Sequence, residues 1–343
     1  KVLEPGELGT YDAFLRARAA ARERGADPRI LIVTVTERDI QDLGAWPLPD
    51  GILARTIEAL RALGPRAIGL DIYRDVPVPP GSADLDEALR RDQRVIVVTK
   101  FAEGSSSGVR PPAALQGTEQ VGFNDVVVDP GGTVRRALLF LDDGQTVLYS
   151  FPLRLALLYL EKEGAGLGAD PADETMVRLG RTTIRPLGPR DGPYVSLDAG
   201  GYQFMADFRG GHEPFERVTL GGVLRGEVNA NTVRDRIVLI GVSADSVKDD
   251  FYTPLRGRFG SKQQVPGVDV HAHFISQLLD IAVEGRRPLG TPPEWAKWLW
   301  IAAVSGLGVL LGVWSLKPWR LALAVAAGLL LIAGTGFVVF RAG

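Results

Sequence analysis

Over its first hundred positions the chain alternates short aliphatic runs with helical apolar patterns. Residues 30–35 read ILIVTV, 67–72 read AIGLDI and 94–99 read RVIVVT. Runs of this length, rich in β-branched residues and bounded by turn residues, are expected for strands buried on both faces. Residues 50–63 place Ile52, Leu53, Ile57, Leu60 and Leu63 on one helical face before Gly64-Pro65 ends the pattern. Residues 84–91 predict a second, shorter helix. Upstream, residues 8–24 predict a helix with Leu8, Tyr11, Phe14, Leu15 and Arg18 at three- and four-residue spacing, stopped by Gly25. Strands alternating with helices predict parallel pairing through right-handed crossovers, with helices covering the sheet.

The pattern changes after residue 120. Segments 121–128, 134–141 and 146–149 are short and extended, separated by Asp-Pro-Gly-Gly and Asp-Asp-Gly turns, and predict antiparallel strands. An amphipathic helix is expected at 151–163, a Gly/Ala-rich surface loop at 164–173, and further short strands at 176–179, 182–185 and 202–208. The α/β character returns with RIVLIGV at 236–242 and a helix at 268–279. No internal repeat is visible. The expected fold class is α/β: a mostly parallel sheet covered by helices, with an antiparallel β insertion, in one domain spanning residues 1–290.

Two uncharged stretches follow, 19 residues at 298–316 and 20 residues at 321–340. Each matches the roughly 20 apolar residues that cross a bilayer as a helix, so transmembrane helices are expected at 297–316 and 320–340. Trp295, Trp298, Trp300, Trp314 and Trp319 cluster at the ends of the first stretch and in the link, where indole rings favour the membrane–water interface. Pro318 lacks an N–H and ends the first helix. Lys317 and Arg320 make the link basic, which favours the cytoplasmic side and places residues 1–290 outside; Arg286, Arg287 and Lys297 pull the other way.

Composition narrows the chemistry. Among 343 residues, 39 Lys and Arg balance 41 Asp and Glu for a net charge of −2, which argues against a nucleic-acid partner. Cysteine is absent, so thiolate metal sites, disulfides and Cys nucleophiles are excluded. No P-loop, GxSxG, HExxH or kinase motif occurs. The chain opens on Lys1 rather than Met, and a preceding segment is expected.

In open α/β sheets ligands gather beyond the carboxyl ends of the strands. That rule selects Thr36 and Glu37 after the first strand, Asp71 and Tyr73 after the second, Lys100 after the third, and Ser243, Asp245, Asp249 and Asp250 after the late strand. Such residues suit a polar ligand or a cation. They equally suit plain structural work, with Asp71 capping a turn and Asp249-Asp250 in a solvated loop. Trp46 sits in a Trp-Pro-Leu-Pro turn that either lines a pocket or clamps the loop. His271 and His273 stand two residues apart in a predicted helix and point about 200° apart, a poor chelating geometry. His271 is expected to hydrogen-bond the helix to a neighbouring loop. His212 lies in a separate Gly-rich loop. Ser105, Ser106 and Ser107 lack a local base. No catalytic set, metal site or cofactor is assigned.

Several fragments, in one order, resemble the CHASE type 2 domain family. They are Tyr11-Asp12 with its Arg-rich helix, the ILIVTVTE strand, Leu43-Gly44-Ala45-Trp46-Pro47-Leu48-Pro49, and Gly69-Leu70-Asp71-Ile72. Val121-Gly122-Phe123-Asn124 then precedes Asp129-Pro130-Gly131-Gly132-Thr133-Val134-Arg135-Arg136. The closing block holds Ile237–Gly241, Asp249, Thr253-Pro254 and Pro266-Gly267-Val268-Asp269-Val270-His271-Ala272. The chain departs from the family pattern at Thr36, where an Asp is usual, and at Asp50, where an Arg is usual. If those positions line a pocket, its charge has changed. The resemblance implies a sensory domain outside the bacterial cytoplasmic membrane, anchored by membrane helices and coupled to a cyclase or kinase output that these residues do not contain.

Two functions are therefore carried forward. In the first the chain is a sensor: a small-molecule stimulus at Glu37, Trp46, Asp71, Lys100, Ser243, Asp249 or His271 changes the packing or the contact with a second copy, and residues 8–24 and 268–279 transmit it. In the second it is a non-signalling structural or assembly subunit of a membrane complex. A downstream kinase or cyclase favours the first, and a stop codon near residue 343 the second. An enzyme at the Asp-rich cleft stands third.

Overall fold

The structure, a computed structural model, describes residues 4–21, 25–102, 107–142, 146–211, 213–255, 264–291, 294–314 and 318–342. Arg22–Arg24 of the first expected helix, Ser105, Ser106, His212 and Lys317 lie outside the described residues.

Helix α1 (Glu4–Ala21) leads to strand β1 (Ile30–Val35). Helices α2 (Glu37–Leu43) and α3 (Asp50–Ala62) come before β2 (Ala67–Leu70), and α4 (Ser82–Arg91) comes before β3 (Val95–Thr99). Strand β4 (Val121–Phe123) is followed by β5 (Arg136–Leu138), β6 (Phe140–Asp142), β7 (Val147–Tyr149) and helix α5 (Phe151–Glu161). Strands β8 (Leu167–Ala169), β9 (Val177–Leu179), β10 (Thr182–Ile184) and β11 (Gln203–Met205) are short. The chain then forms β12 (Glu216–Thr219), α6 (Leu220–Leu224), α7 (Ala230–Val233) and β13 (Ile237–Val242). Strands β14 (Asp250–Tyr252) and β15 (Gln264–Pro266) lead into α8 (Gly267–Val283), and helices α9 (Glu294–Trp314) and α10 (Pro318–Ala342) follow.

Six strands form one sheet in the order β12-β1-β13-β2-β3-β4, every neighbouring pair parallel. All residues of β1, β2 and β13 are buried, as parallel strands sandwiched between helices must be. Side chains alternate across the sheet. Leu31, Val33, Ile68, Leu70, Val238 and Ile240 face a core with Leu53, Ile57 and Leu60 of α3, Leu85 and Leu89 of α4 and Leu220 of α6. The opposite face carries α5 and α8. Two strand glycines let these helices approach: a Cβ on Gly69 would lie 2.6 Å from Phe151 Cζ, and one on Gly241 would lie 2.5 Å from Val268 Cβ.

The expected fold class holds, with local corrections. Segment 121–128 was expected to pair antiparallel. Its strand β4 instead joins β3 in parallel at the sheet edge, Val97 opposite Val121, and the rest of the segment leaves the sheet. Segment 134–141 divides at Leu139, because β5 pairs with β11 while β6 pairs with β7. Part of the expected 164–173 surface loop is strand β8, which pairs with β9. The edge strand β12 and the short helices α2, α6 and α7 had no counterpart in the sequence reading. Helix α8 runs longer than the expected 268–279, to Val283, with residues 267–282 buried.

Contacts sort the chain into two compact units, residues 15–187 with 199–288, and residues 1–14, 188–198 and 289–343. The first unit holds the six-stranded sheet. In the second, the rings of Phe14 and Phe337 stand 5.5 Å apart, and Lys297 Nζ donates to the Arg190 carbonyl at 2.6 Å. Helix α9 leaves Trp295, Trp298, Val309, Leu310 and Val313 exposed. Among the described residues one stretch, Trp295–Val313, is long and apolar enough to cross a membrane.

Candidate functional site

Strand ends at the carboxyl edge of the sheet gather one polar cluster. Asp71 follows β2, with its N–H donating to Ile240 of β13 at 2.8 Å. Asn124 follows β4 and donates its N–H to Thr99 of β3 at 3.0 Å. Tyr73 Oη donates to Asn124 Oδ1 at 2.7 Å, and Asn124 Nδ2 donates to Asp71 Oδ1 at 3.2 Å. The hydroxyl thereby sets the amide's orientation and aims its donor at the carboxylate. Next to it, Asp125 Oδ2 accepts from the Phe101 N–H at 2.8 Å.

The loop after β13 supplies the other side. The Gly267 N–H, at the start of α8, donates to the Asp249 carbonyl at 2.8 Å, and a Cβ on Gly267 would meet Asp249 Oδ2 at 2.6 Å. His271 lies one turn further along the same helix face. Its ring stands edge-on to Phe151 at 5.5 Å and to Phe274 at 6.4 Å, and its buried Nδ1 has no hydrogen-bond partner among the described residues.

Electrostatics ties these groups together. Burial raises the Asp71 carboxyl to about 6, against the pull of the Asn124 bond. Asp249 is exposed by area, but its carboxyl is crowded against Gly267. Desolvation raises it, the Asp71 charge raises it further, and Lys100 and His271 oppose the rise. Burial drives His271 down to about 4 although Asp249 and Asp125 favour its cation, so the imidazole is neutral at neutral pH. Tyr73 is pushed up to about 12, first by desolvation and then by the Asp71, Asp125 and Asp249 charges, against the Asn124 bond.

Asp71 differs in its partners from the buried carboxylates that pair with arginine, Asp92 with Arg94 among them. Asp27 pairs with Arg29 and Arg209, Asp50 with Arg74, Asp129 with Arg135 and Arg136, Asp269 with Arg217, and Asp280 with Arg29 and Arg286. Asp71 has no ion pair among the described residues and one side-chain partner, a neutral amide.

The structure thus brings Asp71, Lys100, Asp249 and His271 together, and leaves three other expected site residues in different settings. Glu37 Oε2 accepts from the Ser246 N–H at 3.2 Å, tying α2 to the loop after β13. The Ser243 N–H donates to Val35 at 3.0 Å and extends the β1–β13 ladder. Trp46 is exposed in its turn. The role expected of His271 belongs to His273, whose Nδ1 accepts from the Arg209 N–H at 3.2 Å and so holds α8 to a neighbouring loop. Thr36 and Asp50, the two departures from the family pattern, are structural. Thr36 caps α2 in a reciprocal box with Asp39, and Asp50 Oδ2 accepts from the Val78 N–H and the Ser82 hydroxyl while Arg74 faces Oδ1. Asn124 and Asp125 were missed because 121–128 was read as antiparallel; a parallel β4 brings its carboxyl end under the strand-end rule.

An open groove of about 660 Å³ lies between α3 and α4. Its charges are surface groups, with Arg91 paired to Glu58 and Glu87, so it lacks the buried unpaired carboxylate that marks the strand-end cluster. Among the described residues no group of three or more His, Asp or Glu is placed to hold a metal ion.

No curated protein matches the chain, and no solved structure does. The CHASE2 domain model matches residues 1–310 of the 343. With that match, and with the parallel sheet and helical cover described above, the chain belongs to the CHASE2 domain family, the extracytoplasmic sensory domains of signalling receptors.

Proposed function

We propose that the chain is the sensor region of a bacterial signal-transduction receptor, with the strand-end cluster as its stimulus site. The observation that carries this reading is Asp71, a carboxyl buried at the sheet's carboxyl edge with one neutral partner. Burying a charge without a counter-charge is costly. A fold that supplies Arg to six of its buried carboxylates, and three hydrogen-bond donors to Asp39, yet gives Asp71 a single neutral amide keeps a group ready for something that arrives from outside. A stimulus that binds one packing arrangement better than another shifts the population between them. Helix α8 is suited to relay that shift. Its first turn abuts Asp249, and near its C-terminal end Asp280 pairs with Arg29 and Arg286.

In this reading α9 and α10 anchor the sensor in the cytoplasmic membrane with the sheet-bearing unit outside, a second copy of the chain is its partner, and a cyclase or kinase outside these residues is its output. The test is thermal unfolding of the full chain in lipid nanodiscs against a panel of amines, organic acids, sugars, nucleotides and metal ions. A ligand at 100 times its Kd stabilises the fold by about 2.7 kcal/mol. The expected result is stabilisation by at least one class, abolished by Asp71→Asn. If no compound shifts the midpoint, the sensor reading fails and the assembly-subunit reading replaces it.

A further inference from the structure

We propose that the ligand of the strand-end site carries a primary ammonium group, which binds at Asp71 and Asp249 with the His271 imidazole facing it. This rests on the sensor reading of the same cluster and goes further by naming the chemistry.

Two side chains there are more than nine-tenths buried and under-used, Asp71 at 8% exposed and His271 at 3%. The first has one neutral partner for its carboxylate, and the second has an Nδ1 with none among the described residues. His271 and the Asp249 carboxyl share the first turns of α8, and Asp249 acts electrostatically on both His271 and Asp71, or is acted on by them. The ionisable groups facing the site are Asp71 and Tyr73 after β2, Lys100 at the end of β3, Asp125 after β4, Asp249 and Asp250 after β13, and His271 on α8. Four are carboxyls, one is an amine and the imidazole is neutral, so the site is anionic and disfavours an anionic ligand.

The donor set then selects among cations. An ammonium presents three N–H donors, while an ionised carboxylate and an unprotonated imidazole nitrogen are acceptors. A hard divalent cation needs six or more oxygens, and the described residues offer no such grouping. A terminal –NH3+ can donate to both acceptors, whereas a quaternary head has no N–H to give them. Tyr73, 37% exposed and bonded through its hydroxyl to Asn124, is the solvent-facing side chain nearest Asp71 in sequence. An arriving cation supplies the counter-charge Asp71 lacks. The raised carboxyls agree with this: protonating Asp71 below about pH 6 removes the charge that the ammonium needs.

The experiment is calorimetric titration of the full chain in nanodiscs with 1,4-diaminobutane and ethanolamine. Their neutral isosteres 1,4-butanediol and ethylene glycol serve as controls, together with succinate. The amines are expected to bind at least about tenfold tighter than their isosteres at pH 7.5 and to lose about tenfold by pH 5, one pH unit below the Asp71 transition. Asp71→Asn and Asp249→Asn are each expected to weaken amine binding about tenfold or more while the thermal transition remains cooperative. Glu58→Gln, in the α3–α4 groove, leaves binding unchanged. Equal binding of diamine and diol, or amine binding untouched by both Asp variants, overturns the proposal. Binding of succinate or another non-amine that Asp71→Asn abolishes overturns the ammonium and leaves the sensor standing, whereas failure of every class of compound sinks both.

Discussion

Asp71 and His271 leave opposite marks on the pH dependence of folding. Asp71 titrates at about 6 in the fold against an ordinary value of 3.8. Between those values the folded chain holds a proton that the unfolded chain has lost, so stability falls as pH rises from about 4 to 6. His271 titrates at about 4 against 6.5; the unfolded chain holds the extra proton, and stability is lost as pH falls through that window. The two slopes nearly cancel in the wild type. Asp71→Asn removes one of them. It is expected to stabilise the chain by up to about 3 kcal/mol at pH 7.5, with the gain vanishing near pH 4, as read by urea unfolding at both pH values. Asp27 behaves in the usual carboxylate sense. Burial alone would raise it, but Arg29 and Ser276 outweigh burial and hold it at about 2, so its contribution is lost as pH falls from about 4 to 2. The buried Asp50–Arg74 pair, 3.0 Å apart with both side chains under 5% exposed, is the strongest structural test. Arg74→Ala leaves Asp50 charged and without its counter-charge, and about 3–5 kcal/mol of unfolding free energy should go. The Asp50→Asn, Arg74→Ala double variant should lose less than the Arg74 variant.

Strands and helices were legible where one interaction dominated. ILIVTV and IVLIGV are buried on both faces and form the central pair, because nothing but a covered parallel sheet accommodates such runs. The edge was harder. Strand β12, Glu216–Thr219, is polar and faces solvent on several residues, and β4 is three residues long. Neither has an apolar signature strong enough to separate a parallel edge from an antiparallel turn, so Asn124 stayed hidden while the strand-end rule already marked Asp71, Lys100 and Asp249 as candidates. Glycine within a strand carried information of another kind. Gly241 lets α8 lie against β13, and Gly241→Ala would force its Cβ to 2.5 Å from the branched Cβ of Val268. A loss of about 1–3 kcal/mol is expected by chemical denaturation. Because the displaced turn carries His271 and abuts Asp249, any ligand of the cluster should weaken in parallel.

Anchoring and orientation belong to the full chain. The exposed apolar surface of α9, from Trp295 to Val313, has no cover among the described residues other than its neighbour α10. A bilayer is the solvent that makes such a surface stable. In the proposed orientation, with the sheet-bearing unit outside the cytoplasmic membrane, protease added to intact spheroplasts should remove it as readily as a periplasmic control. Protection of that unit while the control is cut would reverse the orientation. Residue order alone was enough for the layered α/β class, the uncharged tail and four residues of the candidate cluster, since apolar periodicity, uncharged length and position at a strand end are local properties. It was not enough for the partners of each charge. The reading of Asp71 as an orphan, of Asp50 as paired with Arg74, and of His273 rather than His271 as the bonded histidine depends on which groups meet across tens of positions. Those meetings are set by how helices and loops pack at the ends of the sheet, which no stretch of sequence encodes in isolation.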